Sequence, residues 1–386
     1  MHIYFDNSAT TRVDDEVIKA IEYCYMDLYS NPSAMHRFGF LAEKEVKNIN
    51  QYLASIINST SEEIIWTSGG SESNNLAAFG YLYSSKNIGK HVITTCIEHS
   101  SVLKVFENLE KDGFEVSYLK VDSEGHIDIN ELQDLIRDDT AFVSIMYVNN
   151  EIGSVQNIDL IGNVIKNKNP KTIFHVDFVQ GFGKYRVDVK KSKIDFLSMS
   201  SHKFNGPKGV GVLYKNKNVR IKPMILGGGQ QNGLRAGTLN VPGILGTMVA
   251  AKSIYENFDK NFKNLLELKT YLYDNLISIN DKYGGISLNT KNDDGFAPHI
   301  ISVSFEGIKS EVMLHALEEY EIYVSAGSAC STHDKKTSAT LSGIGLKNEA
   351  INSTIRISFG KYNTKEEIDK FIEVLNILIP KLRLKK

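Results

Sequence analysis

The segment Ser198–Gly209 sets Lys203 beside His202 and Ser200, directly after an apolar run and ahead of a Gly/Pro loop. A lysine amine in a low-dielectric pocket, near another cation or a helix end, has a lowered pKa and forms Schiff bases with carbonyl carbons. The commoner fate of such a lysine is a solvated loop. Asp177 sharpens the choice, because it closes the run Phe174-His175-Val176. A buried carboxylate there can pair with a pyridinium nitrogen, as pyridoxal enzymes require. His99 follows a run ending at Cys96 and can stack on a flat ring or move protons; the alternative is a helix-start histidine satisfied by its neighbours.

Thr67–Asn75 joins a strand-like run to a probable helix through Gly69-Gly70-Ser71. Glycines let a backbone approach a ligand, and free amides at a helix start attract an anion. This is a candidate phosphate cup, although the segment taken alone is better explained as a Ser N-cap after a Gly turn. Neither a dinucleotide fingerprint nor an ATP-type loop is present. Cys330 sits among the small residues Ala326–Ala329 ahead of a Lys-containing run, a setting that exposes the sulfur and favours its thiolate. Cys24 and Cys96 fall within predicted regular elements and read as buried fillers. Arg356 interrupts the apolar alternation Thr354–Ser358, where it needs an anion: a substrate carboxylate, or an internal salt bridge. Arg235, beside the Gly-rich turn at 233–237, has the same two options. The scattered Cys and His residues make a metal site an unlikely fit.

These residues need a scaffold that gathers loops. Candidate strands are Ile64–Thr67, His91–Cys96, Val116–Leu119, Phe142–Met146, Thr172–Val176, Asp195–Met199 and Val210–Tyr214, alternating with helix-like segments such as Ser100–Lys111 and Ile127–Arg137. The alternation predicts an α/β fold with a mostly parallel seven-stranded sheet, whose ligands bind at the carboxyl ends of the strands. A helical stretch from about Pro242 to Leu276 and turn-rich Asp281–Pro298 follow. Strand-like His299–Phe305, Ile322–Val324 and Thr354–Phe359, with helices near Ser310–Glu319 and Lys365–Leu382, then predict a smaller α+β domain completed by the N-terminus. The boundaries expected are 15–255 for the large domain, and 1–14 with 256–386 for the small one.

The 386 residues are 42% hydrophobic, and 44 basic side chains nearly balance 46 acidic ones, which argues against disorder and against a nucleic-acid binder. No apolar run is long enough for a membrane span, the N-terminus enters a strand-like segment without a leader, and three widely spaced cysteines suit a reducing cytoplasm. The basic end Lys381–Lys386 reads as a solvated helix terminus.

Taken together, these segments resemble the cysteine desulfurases, the NifS/IscS-like branch of the class V aminotransferase superfamily. The likeness runs from Tyr4–Thr11 and Asn31-Pro32-Ser33, through Thr67–Asn75, Glu98-His99, Val148–Gly153 and His175-Val176-Asp177, to Ser200–Gly209, Arg235–Thr238, Gly327–Cys330 and Ser353–Gly360. It implies fold type I of the pyridoxal phosphate enzymes, a homodimer, and conversion of L-cysteine to L-alanine with sulfur passing to the enzyme. By that resemblance Lys203 is the Schiff-base lysine, Asp177 holds the pyridine nitrogen, Gln180 the ring hydroxyl, and His99 stacks on the ring and assists proton transfers. Gly70, Ser71, Ser200 and His202 bind phosphate, with Thr238 reaching across from the second subunit. Asn149 and Arg356 hold the substrate carboxylate, and Cys330 accepts the sulfur as a persulfide for an acceptor protein, an iron–sulfur scaffold or a tRNA-thiolation enzyme. Ser71 stands where this family often has Thr, which preserves the hydroxyl. A class V aminotransferase, a selenocysteine lyase, or a non-catalytic sulfur carrier on the same fold are the alternatives.

Overall fold

The computed structural model describes residues 2–85, 87–326 and 337–383. Cys330 and the rest of Gly327–Lys336 therefore lie outside the described residues.

The chain opens with β1 (Ile3–Tyr4), α1 (Asp15–Asp27) and α2 (Arg37–Ile56). An alternating series follows: β2 (Ile64–Thr67), α3 (Gly70–Leu82), β3 (His91–Thr95), α4 (Ser100–Lys111), β4 (Glu115–Leu119), α5 (Ile129–Leu135), β5 (Thr140–Met146), α6 (Ile158–Lys168), β6 (Ile173–Asp177), β7 (Phe196–Ser200) and β8 (Gly211–Lys215). Next come α7 (Val241–Glu256), α8 (Phe258–Tyr283), β9 (Ile286–Leu288), β10 (Ile300–Phe305), α9 (Ser310–Glu318), β11 (Ile322–Tyr323) and β12 (Ser325–Ala326). The last elements are α10 (Ala339–Gly343), α11 (Asn348–Ile351), β13 (Thr354–Ser358) and α12 (Lys365–Arg383).

Seven strands form the large sheet in the order β2-β8-β7-β6-β5-β3-β4. All neighbours are parallel except β8, which runs against both β7 and β2. Strands β3 and β5–β8 are buried along their whole length, which is why they read as apolar runs without alternation. Helix α4 buries Val102, Val105, Phe106 and Leu109, one stripe at helical spacing, against the sheet. Register puts Asp177 opposite both Met146 and Ser198, at the carboxyl edge in mid-sheet. Thr67 and Ser200 both pair with Gly211, so the loops that follow them meet. A Cβ on residue 211 would stand 2.5 Å from the Gly69 backbone, so only glycine permits this approach.

A second core gathers Ile3 and Phe5 with Leu272, Ile301, Ile355 and Phe371. There β1 pairs with β11, and β12-β13-β10-β9 form an antiparallel sheet. The N-terminal strand thus packs with the last third of the chain.

Three local expectations are corrected. The stretch 242–276 is two helices broken at Asn257, whose N–H bonds the Ile254 carbonyl while its own carbonyl starts α8; the apolar period crosses that junction unbroken. The run 322–324 is strand only over Ile322–Tyr323, which pairs with Ile3–Tyr4, and a separate strand, Ser325–Ala326, follows it in the other sheet against Arg356 and Ile355. Cys96 stands one residue beyond β3 and is half-buried, whereas Cys24 is fully buried. Burial pushes the Cys24 thiol up to about 11 and raises that of Cys96, as inert thiols require.

Candidate active site

The loops after β2, β3, β5, β6 and β7 converge with the Asp6–Thr11 segment on a cavity of about 340 Å³. Gly70, Ser71, His99, Asp177, Gln180, Ser200, His202, Lys203 and Arg356 all line it. Most of them stand at or just beyond the end of a buried strand, whereas Arg356 comes from the middle of β13 in the other sheet.

Lys203 ends a single turn of 3-10 helix, Ser201–Lys203, directly after β7. Its Nζ donates to the main-chain carbonyls of Ser8 (2.5 Å) and Ala9 (2.8 Å), so the N-terminal segment forms one lip of the cavity. Behind it, the half-buried Lys184 donates to the Lys203 carbonyl at 2.6 Å. Burial, with Lys203 adding to it, depresses the Lys184 ammonium to about 7. His202 is likewise depressed, to about 4, by burial and then by Lys203, Lys208 and Lys184. It is therefore neutral at physiological pH, with Nδ1 3.1 Å from Thr10 Oγ1.

Asp177 is buried, with Oδ1 accepting from the Val179 N–H (3.0 Å) and Oδ2 from Asn74 Nδ2 (2.8 Å). Gln180 is aimed by its Nε2 bond to the Ser8 carbonyl at 2.9 Å. His99 is the N-cap of α4: its Nδ1 accepts from the Ser101 N–H. The helix-start reading of this histidine holds, and the cap residue also lines the cavity. Burial and Lys203 lower its basicity against the opposing pull of Asp177.

Arg356 makes the internal salt bridge that its setting allowed, and it also lines the cavity. Its guanidinium lines the cavity, yet Nη2 pairs with Asp6 at 2.6 Å and Nη1 donates to the Asn150 carbonyl at 2.8 Å. Its buried Nε has no partner among the described residues. Arg235 is structural: it forms a two-pronged pair with Glu72 of α3, at 2.9 and 3.2 Å.

Two expected site residues fall elsewhere. Asn149 is buried outside the cavity lining. Its Oδ1 accepts from the N–H groups of Glu151 and Ile152, and its Nδ2 donates to the Ile97 carbonyl and Thr340 Oγ1, so it folds its own loop. Thr238 is exposed and outside the cavity lining of this chain. Cys330 lies outside the described residues.

Other contributors carried no individual signal. Ser8 supplies a carbonyl from 195 residues away in sequence. Asn74 and Ser101 lie within or beside recognised segments but look like ordinary helix residues. Glu98 is fully enclosed, accepts from Thr95 Oγ1 and the Met146 N–H, and is pushed up to about 8 by burial.

The residues present fit pyridoxal phosphate. A Cβ on residue 70 would lie 2.7 Å from Val179 Cγ2, so the start of α3 is a cradle that a side chain would fill. Ser71, Ser200 and neutral His202 supply donors around it. The buried Asp177 and the amine of Lys203 provide the other two groups that such a cofactor needs. Among the described residues no group of His, Cys, Asp and Glu could hold a metal ion, and no helix is long and apolar enough to cross a membrane.

The family model described as aminotransferase class-V matches residues 3–371. A curated relative, the putative cysteine desulfurase IscS 1 of Bacillus subtilis (strain 168), is 40% identical over 368 residues, covering 95% of each chain. A solved NifS-like protein superposes with a TM-score of 0.91 at 37% identity, over 98% of this chain and 99% of that one. A structure described as SspA in complex with cysteine gives 0.81 at 34% identity, over 94% and 100%.

Proposed function

From the premise that this chain belongs to the class-V aminotransferase family, whose members depend on pyridoxal phosphate, and is a cysteine desulfurase, we propose how its own residues convert L-cysteine to L-alanine and pass on the sulfur. The observation that carries the reading is the convergence of Lys203, Asp177, His99 and Arg356 on one cavity.

Ser71, Ser200 and His202, with the Gly70 backbone, hold the cofactor phosphate; Thr238 joins them from the second subunit. Asp177, fixed by Val179 and Asn74, holds the ring nitrogen, and Gln180 holds the ring hydroxyl. When bound, pyridoxal phosphate supplies the carbonyl that captures the substrate amine and the electron sink that makes Cα acidic. Arg356 grips the substrate carboxylate with its planar fork while Asp6 keeps the guanidinium oriented. Lys203 Nζ takes the Cα proton, and His99 handles protons beside it. The Cys330 thiolate attacks the substrate sulfur. A sulfur–sulfur bond forms as the carbon–sulfur bond breaks, the electron pair stays with carbon, and a proton there completes alanine. Cys330 is left as a persulfide for an acceptor protein, an iron–sulfur scaffold or a tRNA-thiolation enzyme.

The large domain spans 15–255, and the small one comprises 1–14 with 256–386. The working form is a cytoplasmic homodimer. Exposed Tyr25, Met26, Tyr29, Met35, Phe40 and Leu226 support a partner surface.

The test is direct. Purified protein given pyridoxal phosphate should turn yellow and release alanine from L-cysteine. Lys203→Ala should stay colourless, and Cys330→Ser should bind cofactor and cysteine without acquiring a persulfide. Amino-group transfer to a keto acid, or full turnover by Cys330→Ser, overturns the reading.

A further inference from the structure

Between Asp177 and His99 lies a hydrogen-bonded link that the reaction scheme above does not use. Asn74, on the second turn of α3, is buried. Its Nδ2 stands 2.8 Å from Asp177 Oδ2 and 2.9 Å from Ser101 Oγ. Ser101 Oγ stands 2.8 Å from His99 Nδ1, and the Ser101 main-chain N–H reaches the same nitrogen at 3.1 Å. Asn74 Oδ1 has no hydrogen-bond partner among the described residues.

The directions of these bonds follow from the groups involved. A main-chain N–H only donates, so His99 Nδ1 accepts and carries no proton. A carboxylate only accepts, so the Asn74 amide must turn its nitrogen toward Asp177, which also fixes it as the donor to Ser101. With Asn74 donating to Ser101 Oγ, the hydroxyl hydrogen is directed to His99 Nδ1. The whole link is polarised from α3 to the imidazole. It leaves Nε2–H as the form of the ring that lines the cavity.

We propose that Asn74 and Ser101 are positioning residues that hold His99 in its Nε2–H tautomer and tie its orientation to the Asp177 carboxylate. This rests on the reading that His99 faces the cofactor. Both residues line the cavity, and the role assigned to them runs through His99 and Asp177. Asn74 fixes the cofactor-side acid and the proton-handling base at once, so the two are set in one geometry rather than separately. Burial, with Lys203 adding to it against the opposing pull of Asp177, lowers the basicity of His99 and so favours the neutral ring, the state in which a tautomer choice matters.

The experiment uses cofactor-free protein with ¹⁵N-labelled histidine, where nitrogen shifts distinguish a protonated from a bare ring nitrogen. Wild-type His99 should show bare Nδ1 and protonated Nε2. Ser101→Ala keeps the main-chain donor but loses the hydroxyl, and should lower the ratio of Nε2–H to Nδ1–H about fivefold, the worth of one net hydrogen bond. Ser101→Thr should restore it. Asn74→Ala should shift the ratio in the same direction, and the double variant should shift it no further than Ser101→Ala alone. An unchanged ratio in Ser101→Ala, or additive effects in the double variant, overturns the proposal. If Asn74→Ala does not fold, the Ser101 pair decides. Failure of the wild type to release alanine would strike the proposed chemistry and leave this ratio to be read on its own; an unchanged ratio in a working desulfurase strikes only the inference.

Discussion

The two walls of the cavity are built on different terms. The sheet-edge wall carries Ser200, His202, Lys203, Asp177 and His99, and several of these groups are oriented by close neighbours: Asp177 by Val179 and Asn74, His99 by Ser101, His202 by Thr10. The facing wall is Arg356 of β13 against Asp6 and the Asn150 carbonyl, brought together across 350 and 206 residues of sequence. Its guanidinium keeps a buried Nε without a partner among the described residues. The first wall is a network of several side chains that hold one another; the second is a single cation held by one carboxylate and one carbonyl.

That contrast can be broken from either side. The largest effect is expected at the sheet edge. Lys203→Ala should lower alanine formation by about 10²–10⁴-fold, the range for losing a positioned acid–base group, while melting within a few degrees of wild type. Steady-state rates with thermal melts check it, and a merely modest loss of rate would move the chemistry to another group. On the facing wall, Arg356→Lys keeps the charge but not the fork. It should raise KM for L-cysteine about 10–100-fold with less effect on cofactor binding. Equal damage to both would erase the distinction between the walls.

Gly70→Ala probes the cradle, where the added Cβ would lie 2.7 Å from Val179 Cγ2. Cofactor affinity should drop about tenfold, at a stability cost of about 1 kcal/mol, read by fluorescence titration and urea melts.

The smallest effect comes from buried histidines. His175, clamped between Ser144 and Ser198, is pushed by burial from the ordinary 6.5 to about 3. His202 goes to about 4. At these two histidines the unfolded chain binds more protons than the folded one below about pH 6.5, so their contribution to stability is full above that value and falls as the pH drops toward 4. His175 alone should contribute a slope of roughly 1 kcal/mol per pH unit in that window. Urea midpoints at pH 7 and pH 5 measure it, and His175→Asn should flatten the response.

Much of the site was legible because an apolar run ending in a polar residue marks the edge of a buried strand. Lys203, Asp177, His99 and the Gly70-Ser71 turn were all found in that way. Asn149 shows the limit of the method: residue type and position resemble a ligand-binding asparagine, yet its side chain is engaged by its own loop, the Ile97 carbonyl, Met146 Sδ and Thr340. Asn74 shows the opposite limit, a helix residue whose importance comes only from what packs against it.

The amino-acid order by itself determined the alternating α/β plan and the types of group at the strand ends, since burial on both faces of a sheet leaves a direct imprint on composition. Tertiary structure alone decided how those groups are aimed. The lip made by the Ser8 and Ala9 carbonyls, the pairing of Asp6 with Arg356, and the antiparallel insertion of β8 that brings Thr67 and Ser200 to Gly211 join distant segments. Such long-range contacts depend on packing and register, and local residue patterns do not encode them.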